Sequence, residues 1–450
     1  MADELSLTVF LADAEVGRLR IDRGQPLQFD YTEAWLQTGF PLAPSVPLSA
    51  LTGREVEWST AAVAFFQNLL PEGQALDDVC RSLQVSKSST FGLLHAMGSE
   101  AAGAIRVLAS ARITAADRLR PVSRSELSAR IRERQNVPFS VWDGTVWLSI
   151  AGYQDKVAVF ENGGDWALAD GANRASTHIL KPDPIAPRLA DLTSNEFFCM
   201  RLAAAIKLPV APVRLEHVPE PVLVVERFDR VREGDGVRRV HLIDACQALG
   251  VTPSLKYERP FGDSRDVAPV RTGVNLPMLF RLGVAAATPA AFKLHLLRWA
   301  IFQALIQNFD AHAKNISFFW DRRGLQVAPA YDLVSIGIYP EGWFPKTYAM
   351  AFGDAFAVDD LIPYEWAYMA QLCSIRPRQL ANELTKMATA IEREAAGVAE
   401  QAMSEGGNAE IIRRVMELTV SMSRKQKRAA QEILRIDPKL FEEWTPQSPE

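Results

Sequence analysis

The chain has 450 residues, 48% of them hydrophobic and 23% charged, with a formal net charge of −5 and a pI near 5.8. That length holds two or three domains' worth of core, and the balance is that of an ordinary globular protein. An acidic chain argues against a broad electrostatic footprint for nucleic acid or anionic membrane. No run of about 18 apolar residues offers a membrane span. Cys80, Cys199, Cys246 and Cys373 lie far apart, without a CxxC pair. Free thiols in a reducing cytosol are expected, with neither a disulfide framework nor a zinc site. Met1-Ala2-Asp3-Glu4 lacks the basic start of a signal peptide, so a cytoplasmic protein is expected.

In chain order, Leu5 to Leu11, Arg18 to Asp22 and Pro26 to Tyr31 predict short strands. Ala61 to Leu70 and Ala75 to Leu83 carry helical periodicity, split by Pro71-Glu72-Gly73. Gly103 to Leu108 predicts a closing strand, so 1–108 reads as a small α+β unit. The polar, Arg- and Ser-rich stretch 109–138 reads as a linker, its arginines between Arg118 and Arg134 lying on a solvated charged helix or, alternatively, forming a local basic patch. Thr145 to Ile150, Lys156 to Phe160 and Trp166 to Ala169 predict strands, the last two joined by a turn at Glu161 to Asp165. Thr177 to Pro182 is a strand ended by proline. Ser194-Asn195-Glu196 opens a helix to about Lys207, with Ser194 or Asn195 as N-cap. Val213 to His217 and Val222 to Phe228 resume the sheet. From Leu242 the pattern is mainly helical, apart from an irregular Tyr257 to Gly273 and a hairpin at Arg322-Arg323-Gly324. The expected fold class is α+β: a strand-rich lobe over 139–230, preceded by the extra α+β unit, and an all-helical lobe over 231–450.

The chemistry concentrates in Asn308-Phe309-Asp310-Ala311-His312-Ala313-Lys314-Asn315, followed by Tyr331-Asp332. An Asp, an Asn five residues on and a second Asp after a hairpin form the minimal kit for Mg-dependent phosphoryl transfer. Asp310 would orient the attacking hydroxyl, against the alternative of a turn aspartate. Asn315 and Asp332 would be oxygen ligands from two loops, the number Mg2+ usually takes beside phosphate and water. Lys314 suits phosphate neutralisation and His312 loop structuring; a surface lysine and a packing histidine are the alternatives. Lys181, facing inward with Thr177 and Ile179 by two-residue alternation, needs a partner. ATP phosphates would supply one, and Glu196 another when the site is empty. A solvent-facing edge lysine and a first-turn carboxylate are the alternatives. Ser149 to Lys156 has one glycine and matches neither a GxxxxGK[ST] nor a GxGxxG loop. Its backbone and Lys156 would cover phosphates, or it is an ordinary hairpin loop. Glu226-Arg227-Phe228 is either an adenine-binding connector or a charged strand end. A strand-rich lobe followed by a helical lobe with an acid cluster is a two-lobed kinase order.

These residues resemble the HipA toxins, bacterial serine/threonine protein kinases of type II toxin–antitoxin systems. The resemblance rests on Ser149-Ile-Ala-Gly-Tyr-Gln-Asp-Lys156, Thr177-His-Ile-Leu-Lys181, Asn195-Glu-Phe-Phe-Cys199, Val225-Glu-Arg-Phe-Asp-Arg230, Lys256-Tyr-Glu258, Asp310-Ala-His-Ala-Lys-Asn315 and Tyr331-Asp332. Phe65-Phe-Gln-Asn-Leu-Leu-Pro-Glu72 resembles the family's first subdomain. The resemblance implies a HipA-like kinase fold, with Asp310 as catalytic base and Mg2+ on Asn315 and Asp332. It implies ATP contacts from Ala151, Gly152, Tyr153, Gln154, Asp155, Lys156, Lys181, Glu226, Arg227, Phe228, His312, Lys314 and Tyr331. Ser149 matches the family's autophosphorylated serine, whose modification silences the kinase; the added negative charge beside phosphate and carboxylate fits that effect. It further implies a HipB-like helix-turn-helix antitoxin, operator DNA contacted mainly through that partner, and aminoacyl-tRNA synthetases among the substrates. Tyr153 and Asp155 depart from the Ala and Glu of the best-known member, and 259–273 has little family signature. The competing readings are a small-molecule or lipid kinase of the same fold, and a non-catalytic corepressor that only binds antitoxin.

Overall fold

A computed structural model describes residues 5–21, 26–49, 53–98, 100–109, 117–147 and 154–442. Near the amino terminus four antiparallel strands lie in the order Gln28–Tyr31, Ala14–Ile21, Leu5–Leu11, Ile105–Leu108. Leu7, Val9 and Leu11 alternate inward and share a core with Phe65 and Phe66 of the helix Glu55–Gln67. That helix starts before its apolar periodicity does, in a polar turn bearing Glu55 and Glu57, where acids favour a helix start. It ends at Asn68, and the next helix, Gly73–Leu83, follows the Pro71-Glu72 corner.

The second sheet has six antiparallel strands in the order Val213–His217, Pro221–Glu226, His178–Pro182, Val157–Asn162, Asp165–Asp170, Arg118–Val122. Alternation separates its faces. Leu180, Val222 and Val224 enter one core, while Leu223 and Val225 enter the other with Phe197 and Phe198 of the helix Leu192–Ala205.

Two expectations change here. The linker stretch supplies an edge strand, Arg118–Val122, and its expected helix, Arg124–Glu133, is packed rather than solvated, with Leu127 and Ile131 covering one face of the sheet. Its arginines look solvated in sequence, but they stand over aromatic rings: Arg124 is 4.9 Å from the Trp166 ring centre and Arg130 5.4 Å from that of Trp142. The Leu192–Ala205 helix begins before Ser194 and Asn195, which are buried within it. Asn195 donates to the Ser335 carbonyl (2.9 Å) and accepts from the Ser335 N–H (2.8 Å). Ser194 accepts from the Asn408 N–H at 2.9 Å. Long-range partners take the groups that local capping would have used.

After residue 242 helices dominate: Leu276–Arg281, Pro289–Leu305, Pro363–Leu372, Pro377–Ser404 and Ala409–Ile433. Three small antiparallel sheets are set into and beside them. They pair Arg230–Glu233 with Gly236–Arg239, Ser317–Asp321 with both Leu242–Asp244 and Gly324–Val327, and Thr347–Phe352 with Ala355–Ala357. One apolar core runs from Leu7 and Phe65 to Ile433 and Phe441, so the α+β arrangement is a continuous packed body. Among the described residues no helix is long and apolar enough to cross a membrane.

Candidate active site

Lys181 lies on the strand His178–Pro182, beside Leu180, which faces the opposite core. Alternation therefore turns Lys181 toward the Leu192–Ala205 helix. Its ammonium is buried at 4% exposure and donates to the Glu196 carboxylate at 2.7 Å. It also pairs with the carboxylate of Asp332. Burial works against this charge, but the two carboxylates outweigh it and raise the Lys181 pKa. Burial likewise opposes the Asp332 charge, and Lys181 with Lys156 overcomes it, holding Asp332 down to about 2. Asp332 occupies the left-handed region (φ 52°), a conformation that residues other than glycine rarely adopt and that recurs at working sites.

Asp310 follows the helix Pro289–Leu305 and opens onto a cleft with its side chain 47% exposed. Its carboxylate accepts from the Tyr257 hydroxyl. The cleft walls raise its pKa and the tyrosine bond works the other way. The Asp310 carbonyl accepts from the Asn315 amide at 2.7 Å and from the His312 N–H at 2.8 Å. With its NH2 so used, Asn315 presents its oxygen, which is in no hydrogen bond among the described residues. Asn308 braces both loops: it accepts from the Asp310 N–H (3.1 Å) and donates to the Asp332 carbonyl (3.2 Å) and to Gln303 (2.9 Å).

Two adjoining cavities, of about 550 and 120 Å3, share Lys156, Lys181, Lys256, His312, Asn315 and Asp332 in their walls. The smaller runs under Ile179, Val225, Glu226, Phe228 and Tyr331, an apolar slot beside a strand end. The Phe228 ring stands 5.9 Å from those of Tyr331 and Phe319. The larger extends past Asp310 and Tyr257 to Pro345 and Phe356. Among the described residues no group of three or more His, Cys, Asp or Glu forms a self-contained metal site. The Asn315–Asp332 pair instead suits a hard cation that completes its shell with phosphate oxygens and water.

The structure thus gathers Gln154, Lys156, Lys181, Glu196, Glu226, Phe228, Asp310, His312, Asn315, Tyr331 and Asp332 around one cleft. Ser149, Ala151, Gly152 and Tyr153 lie outside the described residues. Three of the expected ATP contacts are spent elsewhere. Lys314 donates to the Asn68 carbonyl (2.8 Å), the Asn68 side-chain oxygen (3.0 Å) and Asp244 (2.7 Å). These use all three ammonium protons. Arg227 lines the smaller cavity, but its guanidinium binds Asp229 (2.8 Å), Ser176 (2.8 Å) and Glu100 (3.2 Å) and its N–H donates to the Thr177 carbonyl at 2.9 Å, leaving its own carbonyl as what it has to offer a base. Asp155 turns toward Arg134, 3.7 Å away. His312 is buried edge-on against Tyr257 with ring centres 4.9 Å apart. Burial pulls its pKa well down, so the ring is neutral.

The sequence gives little sign that Tyr257, Asn308, Asn68 and Glu72 belong to the site. Tyr257 stands inside a family motif, as do Asn68 and Glu72. Asn308 directly precedes the Phe309-Asp310 pair and carries only the signal of an amide in a loop.

Known proteins resemble the chain over most of its length. Residues 148–395 match the HipA-like C-terminal domain and residues 7–108 the HipA N-terminal domain. The chain is 39% identical over 402 residues to the serine/threonine-protein kinase toxin HipA of Shewanella oneidensis, covering 88% of this chain and 90% of that protein. It is 36% identical over 395 residues to a putative kinase, Y4mE, of Sinorhizobium fredii, covering 84% and 89%. A solved Shewanella oneidensis complex of HipA, HipB and operator DNA superposes with a TM-score of 0.84 at 35% identity, covering 96% of this chain and all of that one. On match length, identity and superposition, the chain belongs to the HipA family of serine/threonine-protein kinase toxins.

Proposed function

We propose that this kinase transfers the γ-phosphoryl group of ATP to a serine or threonine hydroxyl, with Asp310 as general base. The carrying observation is convergence: Asp310, Asn315, Asp332 and Lys181 come from separate segments and line one cleft. Asp310 takes the proton of the acceptor hydroxyl as its oxygen bonds the γ-phosphorus. The bond from phosphorus to the bridging oxygen then breaks and ADP departs. Lys181, charged and already held by carboxylates, offers its ammonium to the phosphates in place of Asp332. Glu196 keeps it aimed. Lys156 adds a second cation, and the slot beneath Ile179, Val225, Phe228 and Tyr331 fits a flat base, with Glu226 at its edge. Asn315 and Asp332 would hold Mg2+, which when bound neutralises phosphate charge. A polypeptide acceptor is supported by the length of the larger cavity, whose lip includes Pro260 and Gly262 with Phe261 between them 65% exposed.

The family relationship extends the proposal. Ser149 is the site of self-modification that silences the enzyme, and the described end of that segment, Gln154 to Lys156, reaches the cleft. A HipB-like DNA-binding antitoxin neutralises the toxin in the cytoplasm and carries most of the operator contact. An aminoacyl-tRNA synthetase is the substrate class whose phosphorylation would stop translation and growth. The test is incubation of the pure protein with Mg-ATP, phosphate mapping by mass spectrometry, and an Asp310→Ala control. Phosphate on Ser149 in the wild type alone is expected; an unmodified wild type that binds ATP would overturn self-silencing. Induction without antitoxin should arrest growth. Equal arrest by Asp332→Ala would contradict a kinase mechanism.

A further inference from the structure

The corner between the helices Glu55–Gln67 and Gly73–Leu83 belongs to the amino-terminal unit, yet Asn68, Leu69 and Glu72 form part of the smaller cavity's wall. Asn68 is 4% exposed, and its NH2 donates to the carbonyls of Ala64 and Val251, both at 2.9 Å. That fixes the amide so that its oxygen faces Lys314. Together with its own carbonyl, Asn68 supplies two of the three acceptors of the Lys314 ammonium. Glu72 pairs with Lys256, and its other oxygen is 3.7 Å from Lys314. The Lys256 carbonyl in turn accepts from the Ala313 N–H at 3.0 Å, and the Lys314 carbonyl accepts from the Tyr331 hydroxyl at 2.8 Å. Apart from the two bonds that fix the Asn68 amide, each of these contacts ends on the turn between Asp310 and Asn315 or on Lys256, next to Tyr257.

A buried ammonium without acceptors is strongly disfavoured. The catalytic turn therefore depends on the amino-terminal corner to bury Lys314. Without that corner Lys314 keeps Asp244 alone, and the same cavity contains Asp332 and the place for phosphates as competing anions.

We propose that Asn68 and Glu72 are positioning residues of the kinase: by holding Lys314 and Lys256 they fix the loop that bears Asp310 and Asn315. The amino-terminal unit is then a working part of phosphoryl transfer. This rests on the roles of Asp310 and Asn315 proposed above.

The test uses the full chain and counts labelled phosphate from Mg-ATP incorporated into the chain itself and into added dephosphorylated casein. Asn68→Ala and Glu72→Gln should lower kcat about tenfold to a hundredfold, the scale of a small misplacement of reacting groups. KM for ATP should move less than about threefold, which separates positioning from lost binding. Adding Asn68→Ala to Lys314→Met should cost little beyond Lys314→Met alone, since both act through one contact. Amide exchange at 312–315 should quicken in the variants while the Pro289–Leu305 helix keeps its protection. Should Asn68→Ala not fold, the isosteric Glu72→Gln carries the same expectation. Folded variants with kcat within about twofold of wild type would overturn the proposal. An Asp310→Asn control as fast as wild type would instead overturn the underlying reading of the site.

Discussion

Lys181 and Lys314 show how one residue type serves two ends. Lys181 is held by carboxylates that a nucleotide can replace, so it is available. Lys314 is held by an amide oxygen, a carbonyl and Asp244, and a phosphate that took the place of either of the first two would strand Asn68. Lys181→Met leaves Glu196 facing Asp332 in a buried site. It should lower unfolding free energy by roughly 3 kcal/mol, the usual scale for removing one partner of a buried ion pair, with transfer activity abolished. Urea denaturation beside the labelled-phosphate assay checks both. Asn308→Ala removes the brace between the Asp310 and Asp332 loops. A loss of about 1–3 kcal/mol is expected from the unpaired groups left behind, with a fall in kcat and ATP affinity nearly intact by calorimetry. The acidic residues and Lys181 are legible in sequence because local spacing and the alternation of one strand place them. Asn308 and Tyr257 are not, because their roles are hydrogen bonds to other loops.

At the scale of elements, the irregular stretch 259–273 acquires order from its flanks. Glu258 is 1% exposed, accepts from the Arg271 guanidinium at 2.7 Å and from the Ala351 N–H at 2.7 Å, and so ties the stretch to the strand Thr347–Phe352. The stretch forms one lip of the larger cavity through Arg259, Pro260, Gly262 and Asp263. Glu258→Ala should loosen that lip. Limited proteolysis within 259–273 is expected to accelerate, and KM for a protein acceptor to rise several-fold while KM for ATP stays put. Unchanged cleavage would show that Arg259, stacked 3.5 Å over the Phe356 ring centre, suffices to hold it. Tyr257 to Gly273 reads as irregular in the sequence because its order comes from an ion pair and a borrowed strand, neither of which has a period.

At the scale of the molecule, a buried charge cluster joins the amino-terminal unit to the rest. Glu100 meets Arg227 (3.2 Å), Arg230 (3.2 Å) and Arg239 (2.8 Å), while Asp229 accepts from the Gly103 N–H at 2.7 Å. Burial raises the Glu100 pKa, and the three arginines outweigh it, taking the carboxyl from 4.5 down to about 2. A depressed acid stabilises the fold above its unfolded pKa and loses that contribution as pH falls through the folded one. Stability should therefore drop by about 3 kcal/mol between pH 4.5 and pH 2 on account of this group alone. Glu100→Gln should flatten that part of the acid-unfolding curve while lowering stability at pH 7. The continuous core implies that removing 1–108 exposes apolar surface and unseats Lys314 together. The truncated chain should be insoluble, as a sedimentation assay of the expressed fragment would show.

By itself the sequence determined the order of the lobes, the acid–amide–acid cluster and the inward lysine, because each is written in spacing along a few neighbouring residues. The tertiary structure decided which cations are held by groups that a nucleotide can replace. Lys314 and Asn68 lie 246 positions apart, and a pairing at that distance leaves no local pattern to read. The same holds for the supposed linker, whose apolar residues are few and whose arginines found their partners only when a sheet edge and two tryptophans were brought beneath them.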